Sequence, residues 1–163
     1  MTTNPSQVDP NKIHLNEVRL FDSHISTSAQ FLNNPVLLTR TNVQIGQHTG
    51  INLETNACAI RMDIILSALD EKEQEIGLTA RYIIHFGFTI DNLQELVQVE
   101  GTNNIIDGRL GATLIGMAYS TARGIVLERT HGSFFNGAIL PVLNPMDILN
   151  APQVQPPALP TIK

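Results

Sequence analysis

AIRMDIILSALDEKEQEIGLTARYIIHFGFTI, residues 59–90, decides the fold. Ile60, Met62, Ile64, Leu66 and Ala68 share one face of an extended chain; Arg61, Asp63 and Ser67 share the other, with Ile65. Alternation of this kind marks a half-buried strand. Tyr82, Ile84, Phe86, Phe88 and Ile90 repeat it, opposite Arg81, His85, Thr89 and Asp91. Between the two runs, Asp70 to Glu75 is acidic and polar and ends at Gly77, which predicts a hairpin connection. Two long strands joined by a short polar loop pair antiparallel.

Towards the N-terminus the pattern weakens. Residues 42–55 hold a weak strand with Val43 and Ile45, followed by Gly46 and Gly50. Residues 13–28 alternate loosely, and the apolar phase changes parity between Leu15 and Val18, which predicts a β-bulge. Between these segments, Asn33-Asn34-Pro35 reads as a loop, yet Phe31, Leu32, Val36, Leu37 and Leu38 surround it. Loops are usually polar, so this apolar one is a candidate surface for contact with another chain.

Towards the C-terminus the period changes to that of a helix. Leu110, Leu114, Ala118, Ala122 and Ile125 recur at helical spacing, with Ile115 and Val126 beside them. Asp107 or Thr102–Asn104 can cap the start and Gly132 the end, giving a helix from Arg109 to His131, about 33 Å long at ~1.5 Å per residue. Gly116, Ser120 and Gly124 form a stripe without bulk on it, with Met117 beside. A glycine inside a helix costs about 1 kcal/mol relative to alanine, so a close backbone approach must offset it. The approaching element is either the chain's own sheet or a helix of another subunit. Strands first and one long helix after them predict an α+β protein with the helix packed on one face of an antiparallel sheet.

The expected organisation is a flexible arm at residues 1–12, one domain at 13–150 and a Pro-rich flexible tail at 151–163, where Pro152, Pro156, Pro157 and Pro160 stand. The chain has 163 residues, a length that suits one domain with a real core. Charged residues make up only 15%, against ~25% in typical domains, which predicts that surface is covered by a partner or by copies of the chain. The net charge of −5 argues against nucleic acid and an anionic membrane surface. No apolar stretch reads as the ~20 residues of a membrane span, and there is no leader pattern. One cysteine, Cys58, excludes an intrachain disulfide, so the expected location is cytoplasmic.

Chemistry is sparse. None of the five histidines, His14, His24, His48, His85 and His131, has a second His or Cys at metal-ligand spacing. No nucleophile, base and orienter can be named together, and no phosphate-binding glycine loop is present. The expectations are no enzyme, no cofactor, no metal and no catalytic residue. The acidic loop from Asp70 reads as a solvated hairpin or as a docking site for a basic partner, and Phe134-Phe135 as core or as an exposed contact.

Two late segments carry a family resemblance. Tyr119-Ser-Thr-Ala122-Arg123-Gly-Ile125 resembles the Pro-Tyr-Ala-Arg-Glu-x-Ile helix motif of the SecB protein-export chaperones. Thr130-His-Gly132-Ser-Phe134 and Leu140-Pro141-Val-Leu-Asn144 resemble the exit from that helix, and Val99-Glu100-Gly101 its entry. The resemblance implies a four-stranded antiparallel sheet with helices on one side. It implies a homotetramer built as a dimer of dimers with long helices at the centre, and ATP-independent binding of unfolded polypeptides in apolar grooves. The chain departs from the family in four ways. The proline that opens the motif is missing, and the second helix shrinks to Met146–Leu149. The basic metal-binding tail has no counterpart. The acidic patch that relatives use to meet the SecA motor falls near His24 and Ser28, which are not acidic.

Together these readings predict a holding chaperone for export or a related delivery role. The alternative is a structural or adaptor module for one folded partner, for example in a toxin–antitoxin or specialised secretion system, with the Pro-rich tail as its recognition segment. Client contacts are expected at Phe31, Leu32, Val36 and Leu37, and at Tyr82, Phe86 and Phe88, unless that strand face is core under the helix. Subunit contacts are expected at Gly116, Met117, Ser120 and Gly124.

Overall fold

The computed structural model describes residues 8–151. Most of the expected arm and tail, residues 1–7 and 152–163, lies outside the described residues. Its described part includes a single 3-10 turn, Pro10–Lys12, capped by Asp9.

The two patterned runs form β3 (Ala57–Leu69) and β4 (Glu75–Ile90), paired antiparallel. Ile60 lies opposite Phe86, Met62 opposite Ile84 and Ile64 opposite Tyr82, so both apolar rows fall on one face. The connecting turn is held by the Asp70 carboxylate, which accepts the Lys72 and Gln74 amides, while Glu73 takes a left-handed conformation. β1 (Ile13–Thr27) flanks β4, and β2 (Arg40–Asn52) flanks β3, giving the order β1-β4-β3-β2. Between the two edge strands the chain runs through a five-residue helix, α1 (Ala29–Asn33). The expected bulge in β1 lies between Leu15 and Glu17, and a second lies between Leu20 and Asp22. The second turns Phe21 onto the outer face, where its ring lies 4.2 Å from that of His85. Burial, followed by the Arg61 charge, lowers the His85 pKa.

The stretch expected to enter the helix folds into a hairpin, β5 (Val97–Glu100) and β6 (Asn103–Ile106). The helix itself, α2 (Gly108–Thr130), begins one residue earlier and ends one residue earlier than its pattern suggested. Asp107 caps it by accepting from the Arg109 and Leu110 amides, and the Arg109 side chain helps to hold that carboxyl below its ordinary range. Leu110, Leu114, Ala118, Ala122 and Val126 are fully buried against the sheet. By length and composition α2 is apolar enough to cross a membrane, contrary to the sequence reading. It nevertheless packs as a core helix, with nine of its residues buried. Burying one large aliphatic or aromatic side chain stabilises the fold by roughly 1.5–3 kcal/mol.

The reduced second helix is α3 (Pro145–Asn150). Small residues on α2 admit it: a Cβ at Gly111 would stand 2.8 Å from a Leu149 methyl group, and one at Gly116 would stand 3.3 Å from the Pro145 ring. The close approach inferred from the glycines therefore exists at Gly116, but the partner is the chain's own α3. Gly124 is different, because among the described residues a Cβ there meets nothing within 4 Å.

Cys58 is buried beneath the helix, and burial pushes its thiol up to about 11. The thiolate is the reactive form, so a thiol reagent at neutral pH should leave native protein untouched and label it at the rate of unfolding. Label incorporation against denaturant concentration checks this; fast labelling of the folded chain contradicts it.

Candidate functional site

Gly77, φ +76°, begins the construction of the site. A Cβ at this position would land on the Ser28 hydroxyl, and the Ser28 amide donates to the Gly77 carbonyl at 2.7 Å. Only glycine meets both demands cheaply. Ser28 in turn caps α1, its hydroxyl accepting the Phe31 amide. This clamps α1 to the start of β4 and drives Phe31 inward, to 4% exposure, with its ring edge-on to Phe134. Leu32, one residue on, points away and is 57% exposed.

Two clefts follow. The first, of about 410 Å³, is lined by Phe31, Val36, Leu37, Leu38, Leu78 and Phe134, among others. The second, of about 620 Å³, lies between the start of β2, Arg40 to Val43, and residues 138–141 beyond the helix. They share their walls in sequence: residues 35–38 lead into 40–43 on one side, and 134–136 into 138–141 on the other. One wall of the second cleft is a sheet edge, since among the described residues β2 pairs only with β3. Arg40 and Glu73 form an ion pair of 2.6 Å at its lining; both are exposed, so the pair is worth at most about 1 kcal/mol.

The opposite wall is held by side chains of α2. Thr130, fully buried, accepts the Ala138 amide on its hydroxyl at 2.7 Å, and its carbonyl accepts the Gly137 amide. The Arg123 Nε donates to the Leu140 carbonyl at 3.1 Å, and the Tyr119 hydroxyl to the Pro141 carbonyl at 2.7 Å. Burial raises the Tyr119 pKa, which keeps that hydroxyl a donor. Ile139 is 74% exposed and Leu37 84%, so both walls present apolar side chains to solvent.

The structure corrects several expected positions. Tyr82, Phe86 and Phe88 do not face a groove; they are core residues under α2. Among the described residues the Tyr82 hydroxyl has no hydrogen-bond partner there. Phe31, Val36 and Leu37 do line a cleft, whereas Leu32 is not among its lining residues. Phe134-Phe135 divides between the two readings: Phe135 is buried and Phe134 is 56% exposed. The wall at 138–141 escaped the sequence reading, although Ile139-Leu140-Pro141-Val142, apolar yet broken by proline, was its signal. Of the expected subunit contacts, Gly116 is covered by Pro145, while Met117, Ser120 and Gly124 are partly or fully exposed.

The chain superposes on the SecB-like chaperone Rv1957 of Mycobacterium tuberculosis, solved in complex with a ChAD peptide from the antitoxin Rv1956 HigA1. The TM-score is 0.57 at 15% identity, over 82% of this chain and 91% of that one. The fold is that of a SecB-like chaperone. A protein of unknown function from Streptococcus agalactiae matches at a TM-score of 0.38 and 11% identity, over 80% of this chain and 97% of that one. The sequence matches no protein-family model and no curated protein. The SecB-like architecture thus stands on the fold alone, in which sheet and long helix leave β2 and the exit segment as walls of one groove.

Proposed function

We propose that the chain is an ATP-independent holding chaperone that takes unfolded or non-native polypeptide segments into the groove between β2 and residues 134–141. The observation that carries this reading is the pairing of exposed apolar walls with an open sheet edge. An extended segment can add to such an edge through main-chain bonds, which tolerate sequence, and bury alternate side chains in the clefts. Delivery of clients for export or a related route, in the cytoplasm, completes the proposal. A second reading is an adaptor for one partner, favoured by the SecB-like neighbour having been solved with a single antitoxin peptide.

A homo-oligomer, tetrameric as a dimer of dimers, is part of the proposal. Support comes from β1, a 15-residue edge strand that leaves Leu15, Val18 and Phe21 exposed, and from Met117 on α2.

The test is suppression of aggregation of a chemically denatured client at stoichiometric ratio, for wild type and for Leu37→Ser/Phe134→Ser. Each residue buried by a client contributes roughly 1.5–3 kcal/mol, so the double variant should lose at least tenfold in client affinity. Its thermal midpoint should fall by a few degrees at most, because Leu37 is exposed and Phe134 loses only its edge contact with Phe31. Wild type without suppression defeats the proposal. Capture of one folded partner in place of many nascent chains supports the adaptor reading.

A further inference from the structure

We propose that Tyr119, Arg123, Thr130 and Pro141 are positioning residues that hold the groove open by denying the chain's own exit segment the means to pair with β2. This rests on the groove being the polypeptide site. The physical problem is plain. Residues 138–141 run beside the edge of β2 across the second cleft. An unpaired edge beside an apolar segment of the same chain invites closure, because each residue added to a ladder satisfies one amide and one carbonyl. If the segment closed onto β2, it would fill the groove.

In an extended chain, residues of one parity direct their amide and carbonyl to the same side. Closure through odd positions would use Ile139 and residue 141. Pro141 has no N–H, and its carbonyl already accepts from Tyr119. Closure through even positions would use Ala138 and Leu140. The Ala138 amide is taken by Thr130 and the Leu140 carbonyl by Arg123. Each parity therefore lacks one amide donor and has one carbonyl directed at α2, and among the described residues only Ile139 retains both groups for a full rung. Three of the four blocks come from α2, whose Tyr119 ring and Thr130 side chain are buried and so cannot swing away cheaply. Open solvent at the edge is thus kept for an incoming strand.

Tyr119→Phe/Pro141→Ala frees the odd parity while leaving the buried ring and the helix in place. Tyr119→Phe alone is the milder control, since it removes only the hydroxyl. Two measurements apply to the full chain. Amide exchange should slow by at least about tenfold relative to wild type at the amides of Arg40–Val43 that face away from β3 and at Ile139 of the double variant, as expected for newly paired edge amides. Affinity for a short fluorescein-labelled peptide of alternating leucine and serine should fall by at least about tenfold. Unchanged exchange overturns the proposal, even if affinity drops, because loss without protection means distortion and not closure. If wild type fails to bind the peptide, the groove reading fails, yet slowed exchange in the double variant still shows that these residues hold the segment off the edge.

Discussion

Phe86→Ala should cost about 3–5 kcal/mol of stability, a large fraction of what holds a domain of this size folded. Phe86 is 1% exposed, on the strand face beneath α2, with Ile60 and Val18 as its cross-strand neighbours. Removing the ring leaves a cavity among rigid strands, where relaxation can recover little of the loss. With a urea slope of about 1–3 kcal/mol per molar, the midpoint should fall by roughly 2 M. The comparison should be made at one fixed protein concentration, since assembly adds its own stability. Leu37→Ser/Phe134→Ser is the counterpart, in which folding should be retained and the proposed client binding lost. A Phe86→Ala protein that folds normally but binds clients poorly would return the strand face to the groove and overturn the division drawn above.

Gly124→Leu should split the proposed homo-oligomer without unfolding its subunits. Among the described residues of its own chain a Cβ at Gly124 meets nothing within 4 Å, and Ser120 on the same stripe is exposed. Within the single chain the substitution is therefore favourable, because replacing a helical glycine gains up to about 1 kcal/mol in propensity. At a close helix–helix contact the same side chain overpacks, at about 1–3 kcal/mol per site. Symmetry repeats the cost in every subunit, so a tetramer suffers about 4–12 kcal/mol in total. Light scattering should then show the wild-type mass reduced by half or to a quarter, with helical circular dichroism preserved. A wild-type monomer at micromolar concentration ends the proposal of an assembly. A variant that keeps the wild-type mass and gains thermal stability moves the interface away from this stripe, and the exposed edge of β1 becomes the surface to test.

Gly116 and Gly124 show how one sequence signal can carry two meanings. Both sit in the same stripe, and the cost of a helical glycine is equal at either. Gly116 is explained by Pro145 of α3, from a segment 29 positions further along the chain. Nothing in the local sequence says that the chain returns there. Gly124 meets no such neighbour among the described residues, which is why it is the better probe of a second chain.

The alternating rows at Ile60–Ala68 and Tyr82–Ile90, the bulge after Leu15 and the helical recurrence from Leu110 to Val126 were all legible in the sequence, and with them the α+β class. Each depends on where a side chain points relative to its near neighbours, a property of backbone geometry that spacing reports directly. Whether the apolar face of β4 was core or client surface was not legible, because an apolar residue looks the same whether a helix or a foreign chain covers it. Only the tertiary structure placed α2 over Tyr82, Phe86 and Phe88. The groove needed more still. Its walls come from residues 31–43 and 134–141, its clamp from Ser28 and Gly77, and its tethers from Tyr119, Arg123 and Thr130. Those groups meet because sheet order carries the chain from one edge to the other and the helix returns it. Local preference specifies each element; long-range packing alone decides which surfaces remain open.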